Sequence, residues 1–491
     1  MCGIAGMIGR SDETLLRTML DQMRHRGPDD LGIHLDDHLA IGQTRLSIID
    51  VKGGKQPIYN EEGDGLVVCN GEIYNHQALR ARLTSHSFRT RSDTETILHL
   101  FEDKREKAVD FLDGMFAFAV TKGGNLLLAR DRLGVKPLYY AEDDGVFYFA
   151  SEMKGLLKAT DDIHEFPPGH YYTCSNGFQR YYSIPDFQDM ILTQEEAIQK
   201  IREELVRAVE NRLMSDVPVG VYLSGGLDSS IVAALAKKTL PELYTFSVGV
   251  RGSRDLEHAA LVAEHLGTNH HQYVYGDDEV IEILRDVIYF LESFDFALVR
   301  SAIPNFFVSR LARGIAKVIL TGEGADEVFS GYDYLKQIPP EQLHQELWRI
   351  TSSLHNLNLQ RTDRMTMAHS IEGRVPFLDT GFLNLASGVP LELKLGPERT
   401  EKWILRAGFK DTLPPAVVWR KKEKFSQGAG SMLYLKSYAE KQITDRELEK
   451  EREGKPWVRS KEELLYFRIF SEFYPEHLVR NLGQTRDVDA L

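Results

Sequence analysis

The sequence has no apolar run that approaches the ~20 residues required to cross a bilayer. Its N-terminus also lacks the basic and apolar regions of a secretory signal peptide. Cysteine is scarce: Cys2, Cys69 and Cys174 are the three in the sequence, and they show neither close pairing nor metal-type spacing. These absences predict a cytoplasmic protein with free thiols and no membrane contact.

Positive charge is also in deficit, since 59 lysines and arginines face 73 acidic residues and give a net charge of −14. A large nucleic-acid footprint is therefore disfavoured. What is present is an ordinary globular composition, with 42% hydrophobic and 27% charged residues. At 491 residues the chain is too long for one core, so two or three domains are expected.

The first part of the chain, up to about Arg180, is predicted to be mainly β. Short runs rich in β-branched and aromatic residues, such as 66–69 and 146–150, alternate with Gly, Asn and Asp. Helices interrupt these runs at residues 13–23, 76–83 and 94–101. Residues 182–189, which include Pro185, are predicted to form a linker.

The second part changes to a helical period, beginning with an amphipathic helix at 194–212. Buried strands are predicted at 217–223, 243–248 and 317–320, with helices at 229–238 and 255–266 between them. Strands that alternate with helices predict a doubly wound parallel sheet. Beyond Glu341 the prediction is mainly helical, and the charge-dense segment 436–459 is interpreted as a solvated helical surface.

Cys2 follows the initiator methionine, and this position gives its thiol a chemical advantage. If Met1 is removed, Cys2 carries a free α-amine, whose reference pKa is about 8, so the amine can accept the thiol proton at neutral pH. A chance cysteine is the alternative if no supporting groups follow.

Supporting groups do follow, in three turns of the chain. Arg45 can clamp a substrate carboxylate in bidentate fashion. The Asn70 amide and the Gly71 N–H can form an oxyanion hole. Asp93 can receive an α-ammonium group, although Asp93 or Ser92 can also merely cap the following helix.

Taken in order, these pieces resemble class II glutamine amidotransferases over roughly the first 180 residues. The matching segments are 1–6, 26–29, 45–50, 70–75, 92–95, 111–118 and 129–134. The resemblance implies an N-terminal-nucleophile α/β/β/α sandwich in which Cys2 attacks the side-chain amide of glutamine, forms a thioester and releases ammonia. It further implies that glutamine or its oxyanion is held by Arg45, Ile49, Asn70, Gly71, Glu72 and Asp93.

Residues 224–230 read SGGLDSS between a predicted buried strand and a helix. Small residues expose successive backbone N–H groups, which form an anion cradle together with the helix N-terminus. A Walker A lysine is missing, and Asp228 beside phosphate requires an intervening Mg²⁺. The loop therefore predicts a Mg²⁺–pyrophosphate site, and its string resembles the signature of PP-loop ATP pyrophosphatases.

Residues 321–327, TGEGADE, end another predicted parallel strand and should face the same crevice. Asp326 is a candidate second Mg²⁺ ligand, and Glu323 is a candidate general base for ammonia. An acidic surface turn is the alternative. With the segments 364–379 and 419–428, these motifs resemble the asparagine synthetase family between about 195 and 430.

That resemblance implies contacts with ATP and with the amino-acid acceptor. It assigns ATP binding to Leu223, Ser224, Gly225, Gly226, Asp228, Ser229, Val248, Thr321 and Gly322. It places Lys422 on phosphate oxygens as aspartyl-AMP forms, and Arg300 and Asp379 at the acceptor. His369 and Met367 are better explained as packing residues.

One departure from the family pattern concerns the acceptor. Arg300 follows Ala297 and Leu298, where relatives carry hydroxyl residues, so the sequence indicates the chemistry more firmly than the acceptor. A related amidotransferase acting on another carboxylate is therefore the nearest alternative. A β-lactam-forming relative is disfavoured because such relatives need no amidase. A PP-loop enzyme that modifies tRNA is disfavoured because it would need a basic groove and extra cysteines. A regulatory protein with an inactive amidase is opposed by the retained Cys2 and Asn70.

The sequence thus predicts two α/β and α+β domains: 2–185 as an amidotransferase sandwich, and 190–491 as a PP-loop synthetase with a doubly wound parallel sheet and a helical extension. The resemblance implies glutamine-dependent asparagine synthesis with ATP and Mg²⁺, releasing AMP and pyrophosphate. The expected partners are glutamine, aspartate and ATP, without nucleic acid or membrane. A homodimer is compatible with the sequence, which does not fix the oligomeric state.

Overall fold

The computed structural model describes residues 2–421 and 432–485. In this described part of the chain, no helix combines the length and the apolarity that a membrane crossing requires. The strands are β1 (Cys2–Ile8), β2 (Asp30–Leu35), β3 (Leu39–Arg45), β4 (Ile58–Tyr59), β5 (Gly65–Ile73), β6 (Gly114–Lys122), β7 (Asn125–Arg130), β8 (Tyr139–Asp143), β9 (Val146–Ala150), β10 (His164–Glu165), β11 (His170–Thr173), β12 (Gly177–Arg180), β13 (Val219–Tyr222), β14 (Tyr244–Gly249), β15 (Asn269–Val274), β16 (Val318–Leu320) and β17 (Glu372–Arg374).

The α-helices are α1 (Glu13–Asp21), α2 (His76–Arg80), α3 (Glu95–Lys104), α4 (Ala108–Phe111), α5 (Met153–Leu156), α6 (Gln194–Asn211), α7 (Leu227–Thr239), α8 (Arg254–Leu266), α9 (Asp277–Leu291), α10 (Phe296–Ala312), α11 (Ala325–Val328), α12 (Pro340–Ser352), α13 (Asn358–Met367), α14 (Thr380–Ser387), α15 (Leu391–Lys394), α16 (Trp403–Phe409), α17 (Pro415–Val418), α18 (Met432–Gln442), α19 (Asp445–Gly454) and α20 (Lys461–Phe470). Short 3-10 segments lie at Arg105–Lys107, Asp333–Gln337, Leu354–Asn356, Pro376–Leu378, Pro397–Arg399 and Glu476–Asn481.

The first half of the chain forms two antiparallel sheets packed face to face. Among the described residues each sheet has six strands, in the orders β10-β8-β9-β1-β3-β2 and β12-β11-β7-β6-β5-β4. Period-two alternation explains the layers, because successive side chains of a strand point to opposite faces. On β1, Ile4 packs between the sheets with Val68, whereas Met7 packs beneath α1. On β5, Cys69 packs beneath α3. The predicted α/β/β/α sandwich is confirmed.

The second half is built on a parallel sheet whose order, in the described residues, is β15-β14-β13-β16-β17. Its central strands are buried on both faces: Val221 and Leu320 pack on one side, Phe246 and Ile319 on the other. Helices therefore cover both faces, as the predicted doubly wound arrangement requires. Helix α6 leads into this sheet and starts at a capping box in which Thr193 and Glu196 satisfy each other's backbone N–H groups.

The segment that joins the halves has no regular secondary structure between residues 181 and 193. Phe187 within it is nevertheless buried against the core of the second half. The charge-dense segment forms α18 and α19, and α19 buries none of its side chains, which agrees with a solvated surface. The exact domain limits remain a prediction.

Candidate active sites

The first candidate site lies where the two antiparallel sheets meet at Cys2. The β1–β3 register places Cys2 opposite Arg45. Across the sandwich, the backbone N–H of Cys2 donates to Oδ1 of Asn70 over 3.1 Å. Cys2 and Asn70, two predicted residues of the glutaminase site that are 68 positions apart in sequence, are therefore in direct contact.

The environment of the Cys2 thiol is dry. Burial raises its pKa, and the backbone N–H of Leu46 and the guanidinium of Arg45 oppose that rise. The Cys2 carbonyl accepts from Nε of Arg26 over 3.0 Å, which fixes the start of β1. A buried thiol with a raised pKa requires a base at close range before it can attack a carbonyl.

Asn70 and Gly71 are the two residues predicted to supply the N–H donors of an oxyanion hole. Nδ2 of Asn70 is buried and has no hydrogen-bond acceptor among the described residues. Gly71 has φ of 151°, and a Cβ at this position would lie 2.0 Å from the carbonyl oxygen of Met115. The close approach of the β6 backbone therefore requires glycine at this position.

Two buried carboxylates, Glu72 and Asp93, lie at the other end of the site. Burial raises the pKa of both, that of Glu72 well above its usual value, and the negative charge of Asp93 raises that of Glu72 further. One oxygen of Asp93 accepts the backbone N–H of Ile73 over 2.7 Å. A cationic ligand would relieve the repulsion between these carboxylates, and the α-ammonium of an amino acid is such a cation.

Arg45 is held by the loop that follows β3. Its guanidinium donates to the carbonyl oxygens of Ile49, Asp50 and Val51 over 3.2, 2.9 and 3.1 Å. These bonds fix the orientation of the Arg45 guanidinium. Arg45 is paired with Cys2 in the β1–β3 register. The structure thus brings together the predicted glutamine-binding set: Arg45, Ile49, Asn70, Gly71, Glu72 and Asp93.

The second candidate site lies at the carboxyl ends of the adjacent parallel strands β13 and β16. The loop after β13 carries Gly225 at φ of 69°, where a Cβ would lie 2.5 Å from the backbone nitrogen of Ala259. Gly322, after β16, lies so close to the first loop that a Cβ would be 2.8 Å from Cβ of Asp228. The two predicted loops therefore form one crevice, as expected for strands that end at the same edge.

A cavity occupies this crevice. One part of its wall is apolar and the rest is polar, with charges of both signs. Its wall includes Leu223, Ser224, Gly226, Asp228, Ser229, Phe246, Val248, Val308, Thr321, Gly322, Glu323, Asp326, Lys402, Arg420 and Lys421. Except for Gly225, which lies in the same loop, every predicted ATP-binding residue lines it.

Asp228 and Asp326 converge on the ammonium of Lys402. Nζ of Lys402 lies 2.5 Å from Oδ2 of Asp228 and 2.5 Å from Oδ1 of Asp326, and the Lys402 side chain is only 2% exposed. The second oxygen of Asp228 is buried and has no hydrogen-bond partner among the described residues. The two carboxylates thus surround one cation-sized point and fit a divalent metal bound by oxygen ligands.

Glu323, the predicted base, lines the same cavity and is ion-paired with Arg361 on α13. Because the guanidinium side chain is 7% exposed, this pair is largely removed from water. Lys422, the predicted phosphate contact, lies outside the described residues. Its neighbour Lys421 lines the cavity.

Arg300 and Asp379, the predicted acceptor contacts, are not brought to the wall of this cavity. Arg300 forms a two-pronged pair with Glu462, with N–O distances of 2.9 and 2.6 Å. Asp379 caps α14 and accepts from Arg207 and Arg212 over 2.6 and 2.8 Å. Both side chains already have structural partners within the protein.

Sequence reasoning missed three contributors to the second site. Lys402 is separated from Asp228 by 174 positions in the sequence. Its backbone has φ of 55°, a left-handed conformation that the sequence pattern does not predict for lysine. Arg361 and the Arg420–Asp255 pair, 2.5 Å apart, were also unassigned. The packing interpretation is confirmed for His369 and Met367, which are both buried; burial lowers the pKa of His369 to about 3.

Comparison with known proteins identifies two matching domains and similar full-length chains. A family model described as "Glutamine amidotransferase domain" matches residues 1–174, and one described as "Asparagine synthase" matches residues 200–342 and 339–488. The chain is 39% identical to "Asparagine synthetase [glutamine-hydrolyzing] 2" of Arabidopsis thaliana, over 98% of this chain and 89% of that protein. It is 41% identical to "Asparagine synthetase B [glutamine-hydrolyzing]" of Escherichia coli K12, over 97% of this chain and 92% of that protein. The chain belongs to the family of glutamine-hydrolysing asparagine synthetases.

Proposed function

We propose that this enzyme converts aspartate, ATP, glutamine and water into asparagine, AMP, pyrophosphate and glutamate. The observation that carries the proposal is the presence, in one chain, of a buried Cys2–Asn70 site and a cavity at the ends of β13 and β16. The first site suits amide hydrolysis and the second suits adenylation of a carboxylate. Neither site alone would account for the whole reaction, because each supplies a different part of it.

In the glutaminase site, Cys2 is the nucleophile and its own α-amine, freed by removal of Met1, is the base. The thiolate attacks the side-chain carbonyl carbon of glutamine, and Asn70 Nδ2 with Gly71 N–H stabilises the developing oxyanion. Collapse expels ammonia and leaves a thioester, which water hydrolyses to glutamate. Arg45 binds the α-carboxylate, while Asp93 and Glu72 receive the α-ammonium, whose positive charge would offset the repulsion between these two buried carboxylates.

In the synthetase site, the apolar wall at Leu223 and Val248 suits the adenosine end of ATP. The loop at Ser224 and helix α7 bind the phosphates through backbone N–H groups. Asp228 and Asp326 would hold Mg²⁺, because their oxygens converge on the point that the Lys402 ammonium occupies. Bound there, Mg²⁺ would neutralise the charge of the departing pyrophosphate.

The carboxylate of aspartate attacks the α-phosphate and forms aspartyl-AMP, from which AMP leaves when ammonia attacks. Glu323 removes a proton from that ammonia, and its ion pair with Arg361 holds the carboxylate at the wall of the cavity. Lys422 stabilises the phosphate oxygens as aspartyl-AMP forms. A contact between Arg300 and the acceptor would require Arg300 to release Glu462. A contact between Asp379 and the acceptor would require Asp379 to release Arg207 and Arg212.

Product analysis with glutamine, ATP and candidate carboxylates tests the proposal. We expect aspartate to give asparagine with AMP and pyrophosphate in equal amounts. ADP with inorganic phosphate would overturn the assignment of the 224–229 loop. Preferred amidation of another carboxylate would keep the chemistry and change the acceptor, an alternative that Ala297 and Leu298 beside Arg300 leave open.

The proposal also includes the setting in which the enzyme works. Its ligands are small molecules, its location is cytoplasmic, and neither nucleic acid nor a membrane is a partner. The net charge of −14 supports the exclusion of nucleic acid. A homodimer is compatible with this function, since each chain carries both sites.

A further inference from the structure

A cluster of potential metal ligands lies on the outer helical layer of the first half, apart from both candidate sites. The histidine–glutamate cluster consists of Glu61, His86, His99 and Glu102. One potential ligand atom from each residue lies within 4.8 Å of the others. Glu61 comes from the loop after β4 and His86 from the turn after α2, while His99 and Glu102 are one turn apart on α3.

The spacing of these ligand atoms suits a small tetrahedral ion. Nδ1 of His86 lies 3.5 Å from Glu61 and 3.3 Å from Glu102. Nδ1 of His99 lies 3.7 Å from Glu61 and 2.7 Å from Glu102. Tetrahedral Zn²⁺ with bonds of ~2.1 Å has ligand atoms roughly 3.4 Å apart, so small shifts would bring all four atoms into range.

A carboxylate lies near the outer ring nitrogen of each imidazole, and the two rings stack with centroids 4.5 Å apart. The other ring nitrogen of His86 lies 3.0 Å from Asp103, and that of His99 lies 3.6 Å from Glu95. A carboxylate on the far nitrogen of a ligating histidine fixes the tautomer that presents a lone pair to the metal. His86 has this arrangement, whereas Nε2 of His99 lies beyond hydrogen-bond distance of Glu95.

Glu102 and Glu61 are also prepared as ligands. One oxygen of Glu102 accepts from Asn60 and Lys122 over 2.8 and 2.7 Å, which leaves its other oxygen for the centre of the cluster. Oε2 of Glu61 is buried and has no hydrogen-bond partner among the described residues. The Glu61 side chain is 31% exposed, so an ion can enter from solvent along it.

We propose that the histidine–glutamate cluster binds one divalent transition-metal ion, with Zn²⁺ preferred, and that this ion ties the β4–β5 loop and the turn after α2 to helix α3. Imidazole nitrogens and carboxylate oxygens are both ligand types that Zn²⁺ accepts. The ion would stabilise the glutaminase half and take no part in either reaction. Helix α3 begins two residues after Asp93, so the ion would also anchor the helix behind the amino-acid site.

The test is a Zn²⁺ titration of the full chain after chelation and removal of the chelator, followed by calorimetry. A Cys2→Ala background prevents the catalytic thiol from taking zinc. We expect one tight site per chain and a rise of several degrees in the thermal midpoint. In the same background, His86→Ala should weaken binding by at least ~100-fold, whereas His38→Ala, which changes an exposed histidine outside the cluster, should not.

Two further measurements separate loss of the site from loss of the fold. Glu61→Gln keeps the size of a loop side chain and should weaken Zn²⁺ binding while preserving the circular dichroism spectrum. Co²⁺ should give the visible bands of a tetrahedral ion without a thiolate charge-transfer band. Equal zinc affinity in His86→Ala, Glu61→Gln and His38→Ala, or a cobalt spectrum dominated by thiolate, would overturn the proposal.

Discussion

The thiol of Cys2 is the group on which glutamine use depends. We expect Cys2→Ala to lower glutamine-dependent asparagine synthesis by roughly 10³-fold or more, because no other nucleophile is in place. Synthesis from added ammonium salts should stay within a few-fold of the parent, since the ATP cavity is formed by other elements. Cys174→Ala, which changes an exposed cysteine, is the matched control. Equal losses with both nitrogen sources would contradict the two-site assignment.

The role of Glu323 in amide formation can be tested separately from the formation of aspartyl-AMP. In Glu323→Gln the residue keeps its shape but can no longer take a proton from ammonia. We expect amide formation to fall by about 10²–10⁴-fold, the usual range for a general base. Aspartate-dependent exchange of pyrophosphate into ATP should fall far less.

In Glu323→Gln, Arg361 also loses the negative charge with which it is paired, and this loss could affect activity by itself. The control is therefore Arg361→Met alone, which removes the partner guanidinium but keeps the carboxyl group of Glu323. If Glu323 is the base, Arg361→Met should retain more amide formation than Glu323→Gln. Parallel losses of exchange and amide yield in Glu323→Gln would assign Glu323 to ATP binding instead.

At the scale of elements, most strands and helices of the two cores could be predicted because their hydrophobic periods are regular. Helix α6 is predicted at 194–212 and observed at Gln194–Asn211, and β9 is predicted and observed at Val146–Ala150. The sequence offers no such period for β15, Asn269–Val274, a polar edge strand that is only partly buried. Patterning cannot reveal a strand that contributes little to the core.

Strand β17 was missed for the opposite reason, since it is fully buried but built from charged residues. Glu372 and Arg374 form a pair 2.6 Å apart, and Arg374 donates to the carbonyls of Arg212 and Met214, each over 2.7 Å. These bonds offset the cost of burying both charges. Arg212 and Met214 are distant from Arg374 in sequence, so their part of the compensation is visible only in three dimensions.

Helix α15 carries a buried lysine that makes stability depend on pH. Burial lowers the pKa of Lys394 to about 7, and its ammonium lies 4.6 Å from the ring of Phe187 in the linker. Below pH 7 the folded protein must keep this buried charge, which destabilises it. Between pH 7 and about 10.5 the folded state releases the proton that the unfolded state still holds, so stability rises with pH.

Lys394→Met should therefore be more stable than the parent, by roughly 2–5 kcal/mol below pH 7. The advantage should shrink as pH increases toward 10. Urea unfolding at pH 6.5 and at pH 9.5 measures the gap, and Lys410→Met, at an exposed site, corrects for general charge effects. A gap that does not change with pH would show that Lys394 keeps its proton in the fold.

At the scale of the whole molecule, helix α13 touches both active sites. Its Arg361 pairs with Glu323 in the synthetase cavity. Two residues later, Asp363 accepts from Arg26 over 2.8 and 3.1 Å, and Arg26 also donates to the carbonyl of Cys2. Arg364 joins Glu152 of the first half to Glu292 of the second. Helix α13 thus links the ammonia-producing site to the ammonia-consuming one, alongside other contacts between the halves such as Lys317 with Asp29.

This arrangement predicts a defect in Asp363→Asn that neither half-reaction reveals. The substitution keeps the shape of the side chain but removes the charge that pairs with buried Arg26, costing roughly 1–3 kcal/mol. Glutaminase activity and ammonia-dependent synthesis should each stay within a few-fold of the parent, because the residue touches neither substrate. The ratio of asparagine formed to glutamine hydrolysed should fall, since the two sites are no longer held in register and ammonia escapes to solvent. Both products are measured in one reaction, with the exposed substitution Asp333→Asn as control. An unchanged ratio would mean that the remaining contacts between the halves hold the two sites together without the Arg26–Asp363 pair.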